Sequence, residues 1–156
     1  MPIRIEERFQ VEAPRAQVWA YFSDPMQVAP CLPGATITEV VDERTYKGHV
    51  QIQVGPIAAQ YQGVMEIETM DAAAGTLVMA VRAAQIGAVG RAEGRITCQV
   101  APAEHEGAVT DVAVRAELQV TGRLMQLAGG LIGTVARQVF GQFAACARRS
   151  ILAQGS

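Results

Sequence analysis

Residues 112–152 read VAVRAELQVTGRLMQLAGGLIGTVARQVFGQFAACARRSIL, and within them the hydrophobic period changes from two to about 3.6. In the first part Val112, Val114, Ala116, Leu118 and Val120 alternate with Ala113, Arg115, Glu117 and Gln119, the pattern of a half-buried strand. From residue 123 onward Leu124, Ala128, Leu131, Val135, Val139 and Cys146 share one sector of a helical wheel. Met125, Ile132, Ala136, Phe140 and Phe143 widen that sector beyond the ~100° of an ordinary surface helix. Arg123, Gln126, Arg137 and Arg148 occupy the narrow strip that is left. The spacing predicts one long helix over 123–152. A helix so broadly apolar must lie on a large apolar surface, which the preceding chain has to supply.

That chain is built of strands. Gly90, Ala92, Gly94, Ile96, Cys98 and Val100 oppose Arg91, Glu93, Arg95, Thr97 and Gln99. Tyr46, Gly48, Val50, Ile52 and Val54 alternate with polar residues, as do Ala59, Tyr61, Gly63, Met65 and Ile67. Turn signals fall at 42–44, 55–56, 71–75, 86–87 and 101–107, and connections this short make antiparallel neighbours. Before them, residues 3–12 alternate as a further strand. Pro14 opens a short helix over 15–23 that Asp24-Pro25 stops. A second short helix over 25–32 is interrupted at Pro30 and ended by Pro33-Gly34. This order predicts a single α+β domain over 1–156 with a helix-grip arrangement: a curved seven-stranded antiparallel sheet, two short helices after the first strand, and the long C-terminal helix over the concave face.

Composition narrows the function. Half of the 156 residues are hydrophobic, yet no apolar run reaches the ~18 residues of a membrane span. The first residues carry charge and no signal-peptide core, so a cytoplasmic protein is expected. A net charge of −2 without basic clusters argues against nucleic acid. Cys31, Cys98 and Cys146 are odd in number, far apart and without a CxxC. They are expected to be reduced and buried, neither a disulfide framework nor a metal site. His49 is predicted on a polar face and His105 in a loop, and no HExxH, GxSxG or phosphate loop is present. No catalytic residue, cofactor or metal is expected, and the residues point to a binding protein rather than an enzyme.

The candidate site is the concave face. Gly48, Gly63, Gly90, Ala92 and Gly94 fall on it, and glycines inside strands either let a sheet curl or leave room for something else. Both readings stand at this point. Tyr46, Val50, Tyr61, Met65, Met79 and Val81 make an apolar wall with two phenolic hydroxyls, the make-up of a small-molecule pocket. Leu32 is placed at the mouth, with Arg82 at the rim. From the helix, Leu124, Ala128, Leu131, Ile132 and Val135 are expected against a ligand, with Val139, Phe143 and Cys146 packing the closed end. Gly129, Gly130 and Gly133 each cost the first half of the helix ~1 kcal/mol relative to alanine. A gate and close packing on the sheet account for them equally well.

Three segments together resemble the CoxG-like family of carbon monoxide dehydrogenase subunits. Ala29-Pro30-Cys31-Leu32-Pro33-Gly34-Ala35 is similar to the family's C-[IL]-P-G-A segment. Tyr46-Lys47-Gly48-His49-Val50, Val54-Gly55-Pro56-Ile57 and Tyr61-Gln62-Gly63 follow in the family's order. Near the start, Phe9-Gln10-Val11, Pro14, Val18-Trp19 and Phe22-Ser23-Asp24-Pro25 also match. The resemblance spans about residues 3–150. It implies a START/Bet v 1-like (SRPBCC) domain that accompanies molybdenum hydroxylase subunits. It also implies a quinone or lipid-like molecule in the cavity for delivery as electron acceptor, and a role in membrane recruitment of carbon monoxide dehydrogenase. Peripheral association at the inner face of the membrane goes with that role. The best-known members carry a membrane-associating C-terminal tail, whereas this chain ends at Gln154-Gly155-Ser156, so anchoring is not carried over. An apolar-ligand carrier is therefore expected. The alternatives are an assembly factor acting through its outer surface and a cyclase- or hydrolase-like enzyme using the same cavity. The partner enzyme's substrate and the oligomeric state are not set by the sequence.

Overall fold

Pro2–Val11 forms β1, whose odd-numbered residues turn inward as their alternation requires. The computed structural model describes residues 2–54, 56–102, 108–122 and 131–154. After β1 come two short helices, α1 (Arg15–Phe22) and α2 (Pro25–Val28). Asp24 caps α2 by accepting the Met26 N–H at 3.1 Å, while Pro25 sits at the first turn, where its missing N–H costs nothing. Pro30 has no N–H to continue the helix, so the segment tightens into a 3-10 turn over Ala29–Cys31. Gly34 then takes a φ of 81°, and a Cβ there would run into the Gln51 carbonyl oxygen, so only glycine fits this reversal.

Six strands follow: β2 (Ala35–Val40), β3 (Thr45–Val54), β4 (Ile57–Asp71), β5 (Thr76–Gln85), β6 (Gly90–Pro102) and β7 (Thr110–Gly122). The sheet has seven strands in the order β1-β7-β6-β5-β4-β3-β2, and every pair is antiparallel. Register shifts at Ile37/Glu39 and Ile67/Thr69 add bulges, which bend strands and increase twist. The last helix, α3 (Ile132–Gln154), completes the expected helix-grip architecture. Residues 123–130 lie outside the described residues, so Leu124 and Ala128, with Met125, Gly129 and Gly130, have no described position; the same holds for His105.

The core is lopsided. Its main cluster joins Phe9 and Val11 of β1, Val18, Tyr21 and Phe22 of α1, Ile67, Leu77, Val100 and Val112 of the sheet, and Phe143, Ala147 and Ile151 of α3. All four phenylalanines meet there, with ring centroids 5.7–6.2 Å apart in tilted and edge-on pairs. The second cluster is small: buried Ala59 and Tyr61, with Ile52, Ile57, Ala83, Ala92 and Val135 half-buried against them. Thr110 is fully buried and its Oγ1 donates to the Ala13 carbonyl at 2.7 Å, tying the start of β7 to the β1–α1 corner. Replacing Thr110 by Val should cost roughly 1–2 kcal/mol, because it strands that carbonyl at constant shape. A urea titration checks this, and an unmoved midpoint would remove the bond from the account.

One expectation is overturned. Cys31 and Cys146 are joined in a disulfide, with Cα atoms 5.4 Å apart across 115 residues of sequence. The 3-10 turn and the second half of α3 are brought together by tertiary packing, which cysteine spacing alone cannot report. Cys98 is the remaining free thiol, buried among apolar neighbours that push its pKa up to about 12.

Candidate functional site

Strand register sorts the inner face into cross-sheet rows. One row runs Gly48–Gly63–Ala83–Ala92–Val120, small residues on four adjacent strands. On one side of it lies Tyr46–Met65–Val81–Gly94–Leu118, and beyond that Ile67–Met79–Ile96–Ala116. On its other side are Val50, Tyr61 and Gln85. Met65, Val81 and Leu118 are half-buried although they face the helix side of the sheet, as is Gly94. A band of the inner face between the two packed clusters is thus incompletely covered.

The helix above this band is fastened at one end. Its fully buried residues are Phe143, Ala144, Ala147 and Ile151, all in the second half. Among the described residues, the side-chain ties from α3 to the rest of the protein also belong to that half. Gln17 donates to the Ile151 carbonyl at 2.6 Å, Gln154 to Gln27 at 2.6 Å, and Arg148 to the Gln10 carbonyl at 2.9 Å, beside the Cys31–Cys146 bond. In the first half Ile132, Val135, Ala136 and Val139 are only half-buried, and Val135 packs on the second cluster. Leu131 precedes the helix in a turn and is 48% exposed.

The expected site residues therefore divide. Tyr61, Gly63, Ala92 and Val135 gather around the small cluster and its row, with Gly90 on the neighbouring strand end. Met65 and Val81 belong to the open band. Tyr46 and Met79 pack against the main core instead, and the Tyr46 hydroxyl reaches the Glu43 carbonyl at 3.5 Å, away from the row. Burial, then Asp24, Asp42 and Glu43, hold the Tyr46 pKa above its ordinary value. Leu32 and Val50 are exposed at the edge of the sheet. Arg82 is exposed, and Phe143 and Cys146 pack the closed end.

The glycines have a backbone reason. A Cβ at Gly63 would run into the Arg82 carbonyl oxygen and lie 2.6 Å from the Ala83 Cα, and one at Gly94 would meet the Glu117 carbonyl. These two positions let adjacent strands approach closely, and any room above them comes with that approach.

Two inner-face polar residues escaped the sequence reading. Gln85 lies in step with Leu77, Met79, Val81 and Ala83, and Glu7 with Ile3, Ile5 and Phe9. The same alternation that placed their neighbours would have placed them. Glu7 is half-buried opposite Val114, and no second carboxylate or histidine shares that face among the described residues. No group of three metal-ligating side chains occurs among the described residues, and no helix among them is long and apolar enough to cross a membrane. A shallow depression of ≈ 390 Å³ lies elsewhere, between Gln10, Glu12, Val109, Arg148 and Leu152. Its arginine is already committed, bonded to the Gln10 carbonyl and set 5.3 Å over the Phe9 ring.

Known structures share this architecture. A conserved protein from Geobacillus kaustophilus superposes with a TM-score of 0.83 at 17% identity, covering 96% of this chain and 95% of that one. A START superfamily protein from Mycobacterium smegmatis gives 0.62 at 11% identity, over 97% and 98%. Norcoclaurine synthase from Thalictrum flavum, in complex with dopamine and hydroxybenzaldehyde, gives 0.64 at 16% identity, over 100% and 90%. At such identities the likeness establishes the START/Bet v 1-like fold. No curated protein sequence matches this chain. A family model does match, over residues 8–152, and by that match the chain belongs to the CoxG family of carbon monoxide dehydrogenase subunits.

Proposed function

We propose that the protein is a non-catalytic carrier of an apolar small molecule, quinone or lipid-like, held between the inner face of the sheet and the first half of α3. The carrying observation is the half-buried band of Met65, Val81, Gly94 and Leu118 beneath a helix that buries residues fully only from Phe143 onward. Apolar surface left open inside a fold costs ~25 cal/mol per Å², and a ligand that covers it recovers that energy. The family description supports service to a carbon monoxide dehydrogenase-type molybdenum hydroxylase, by delivering its electron acceptor or by aiding its recruitment to the membrane. A cytoplasmic setting goes with that role, and there the Cys31–Cys146 pair would stand mostly as thiols.

The test is organic extraction of the purified protein followed by mass spectrometry, with a thermal-shift titration against menadione. A co-extracted hydrophobic molecule, or a melting temperature raised by several degrees at saturating quinone, is expected. An empty protein that menadione does not stabilise would end the carrier reading.

A second reading rests on Glu7, a carboxylate on the inner face. It supports an enzyme of the helix-grip type, in which Glu7 moves a proton. If Glu7→Gln leaves ligand retention intact and only turnover of a bound compound is lost, that reading replaces the first. An assembly factor acting through its outer surface would still capture the dehydrogenase subunits when the inner face is blocked.

A further inference from the structure

Two polar atoms of the inner face are buried and have no hydrogen-bond partner among the described residues: the Tyr61 hydroxyl and Gln85 Oε1. They belong to directly opposed residues of β4 and β5, and they do not bond each other. Tyr61 is only 3% exposed and sits in the small cluster with Ala83, Ala92 and Val135 under the first half of α3. Gly90 makes room for its neighbour, since a Cβ there would lie 2.5 Å from Gln85 Oε1. A buried polar group without a partner is costly, and two such groups side by side next to an incompletely covered band call for something that satisfies both. Tyr21 also buries an unpartnered hydroxyl, but it is locked in the main core with no second unpartnered atom on an adjoining residue.

We propose that Tyr61 and Gln85 form a hydrogen-bonding site for a hydroxyl group on an otherwise apolar ligand. The proposal rests on the carrier reading and adds the chemistry that orients the cargo. A hydroxyl can accept from the Tyr61 O–H and donate to Gln85 Oε1, so one group satisfies both orphaned atoms. A carbonyl satisfies only the tyrosine. The site therefore selects a phenol, an alcohol or a hydroquinone over the matching hydrocarbon.

The experiment compares 2-naphthol with 2-methylnaphthalene, which differ by hydroxyl against methyl, on the whole protein and on its Tyr61→Phe and Gln85→Leu variants. The ratio of the two affinities should shift toward the hydrocarbon by roughly 10-fold in each variant. Without ligand, Tyr61→Phe should melt ~3 °C higher than the parent, because a buried hydroxyl with no partner has been removed. An affinity ratio identical in parent and variants overturns the site while leaving the carrier reading standing. A lower melting point for ligand-free Tyr61→Phe also overturns it, since the hydroxyl would then have a partner in the fold. If the parent binds neither compound, the carrier reading falls and the site with it.

Discussion

Reduction of the Cys31–Cys146 bond should lower the melting temperature by about 10 °C. The bond spans 115 residues, and cross-linking so long a loop removes much of the freedom of the unfolded chain. The chain-entropy account gives about 4–5 kcal/mol for a loop of this order, and native bridges typically contribute about 2–5 kcal/mol. At about 2–4 °C per kcal/mol for a chain of this size, the shift is large but survivable. The protein should stay folded after reduction, because Gln17, Gln154 and Arg148 still fasten α3 by hydrogen bonds. Calorimetry with and without a phosphine reductant measures the effect, and the Cys31→Ala/Cys146→Ala variant should be indifferent to it. Thiol counting gives an independent check. The denatured, non-reduced chain should show one reactive cysteine and the native protein none at pH 8, since burial pushes the Cys98 pKa up to about 12. Three thiols in the denatured, non-reduced chain, with no shift on reduction, would mean that the bond does not form in solution.

The second large effect concerns ligand binding. Ala92→Phe should weaken retention of an apolar ligand roughly 100-fold, corresponding to the about 3 kcal/mol needed to force two groups into one space. Ala92 lies in the small-residue row, half-buried between Tyr61, Ala83 and Val135, and its Cβ already points into the region where the helix covers the sheet loosely. A phenyl group there occupies the proposed ligand volume. Gly63→Phe, the more obvious substitution in the same row, cannot serve this purpose. Even a methyl at Gly63 collides with the backbone of β5, so any loss would report broken strand pairing. Gly63→Ala is the control, expected to lower stability by several kcal/mol whether or not ligand is present. Binding that persists at parental strength in a folded Ala92→Phe protein would place the ligand elsewhere. If the variant melts far below the parent, Ala83→Met on the facing strand provides a milder block of the same row.

Much of this was legible along the chain. Period-two alternation is local, so Val112 to Val120 and Gly90 to Val100 announced which side of β6 and β7 would face inward, and the register agrees. The change of period near residue 122, followed by α3, carried the layer order with it. The same rule applied without regard to polarity would also have placed Glu7 and Gln85 inside. They are easily passed over because polar residues are expected on the wet face.

Tertiary contacts decided the rest. Cys31 and Cys146 become neighbours only because the end of α3 crosses the turn after α2. Gly63 is glycine because of what β5 places beside it, a fact that emerges only once β4 and β5 are in register. The sequence by itself determined the order of elements, the inward faces and the family, because each depends on spacing along one strand or helix or on motifs in series. Only the folded chain decided which half of α3 is fastened, where two buried polar atoms are left without partners, and which cysteines join. Those outcomes depend on distances between segments that no local pattern encodes.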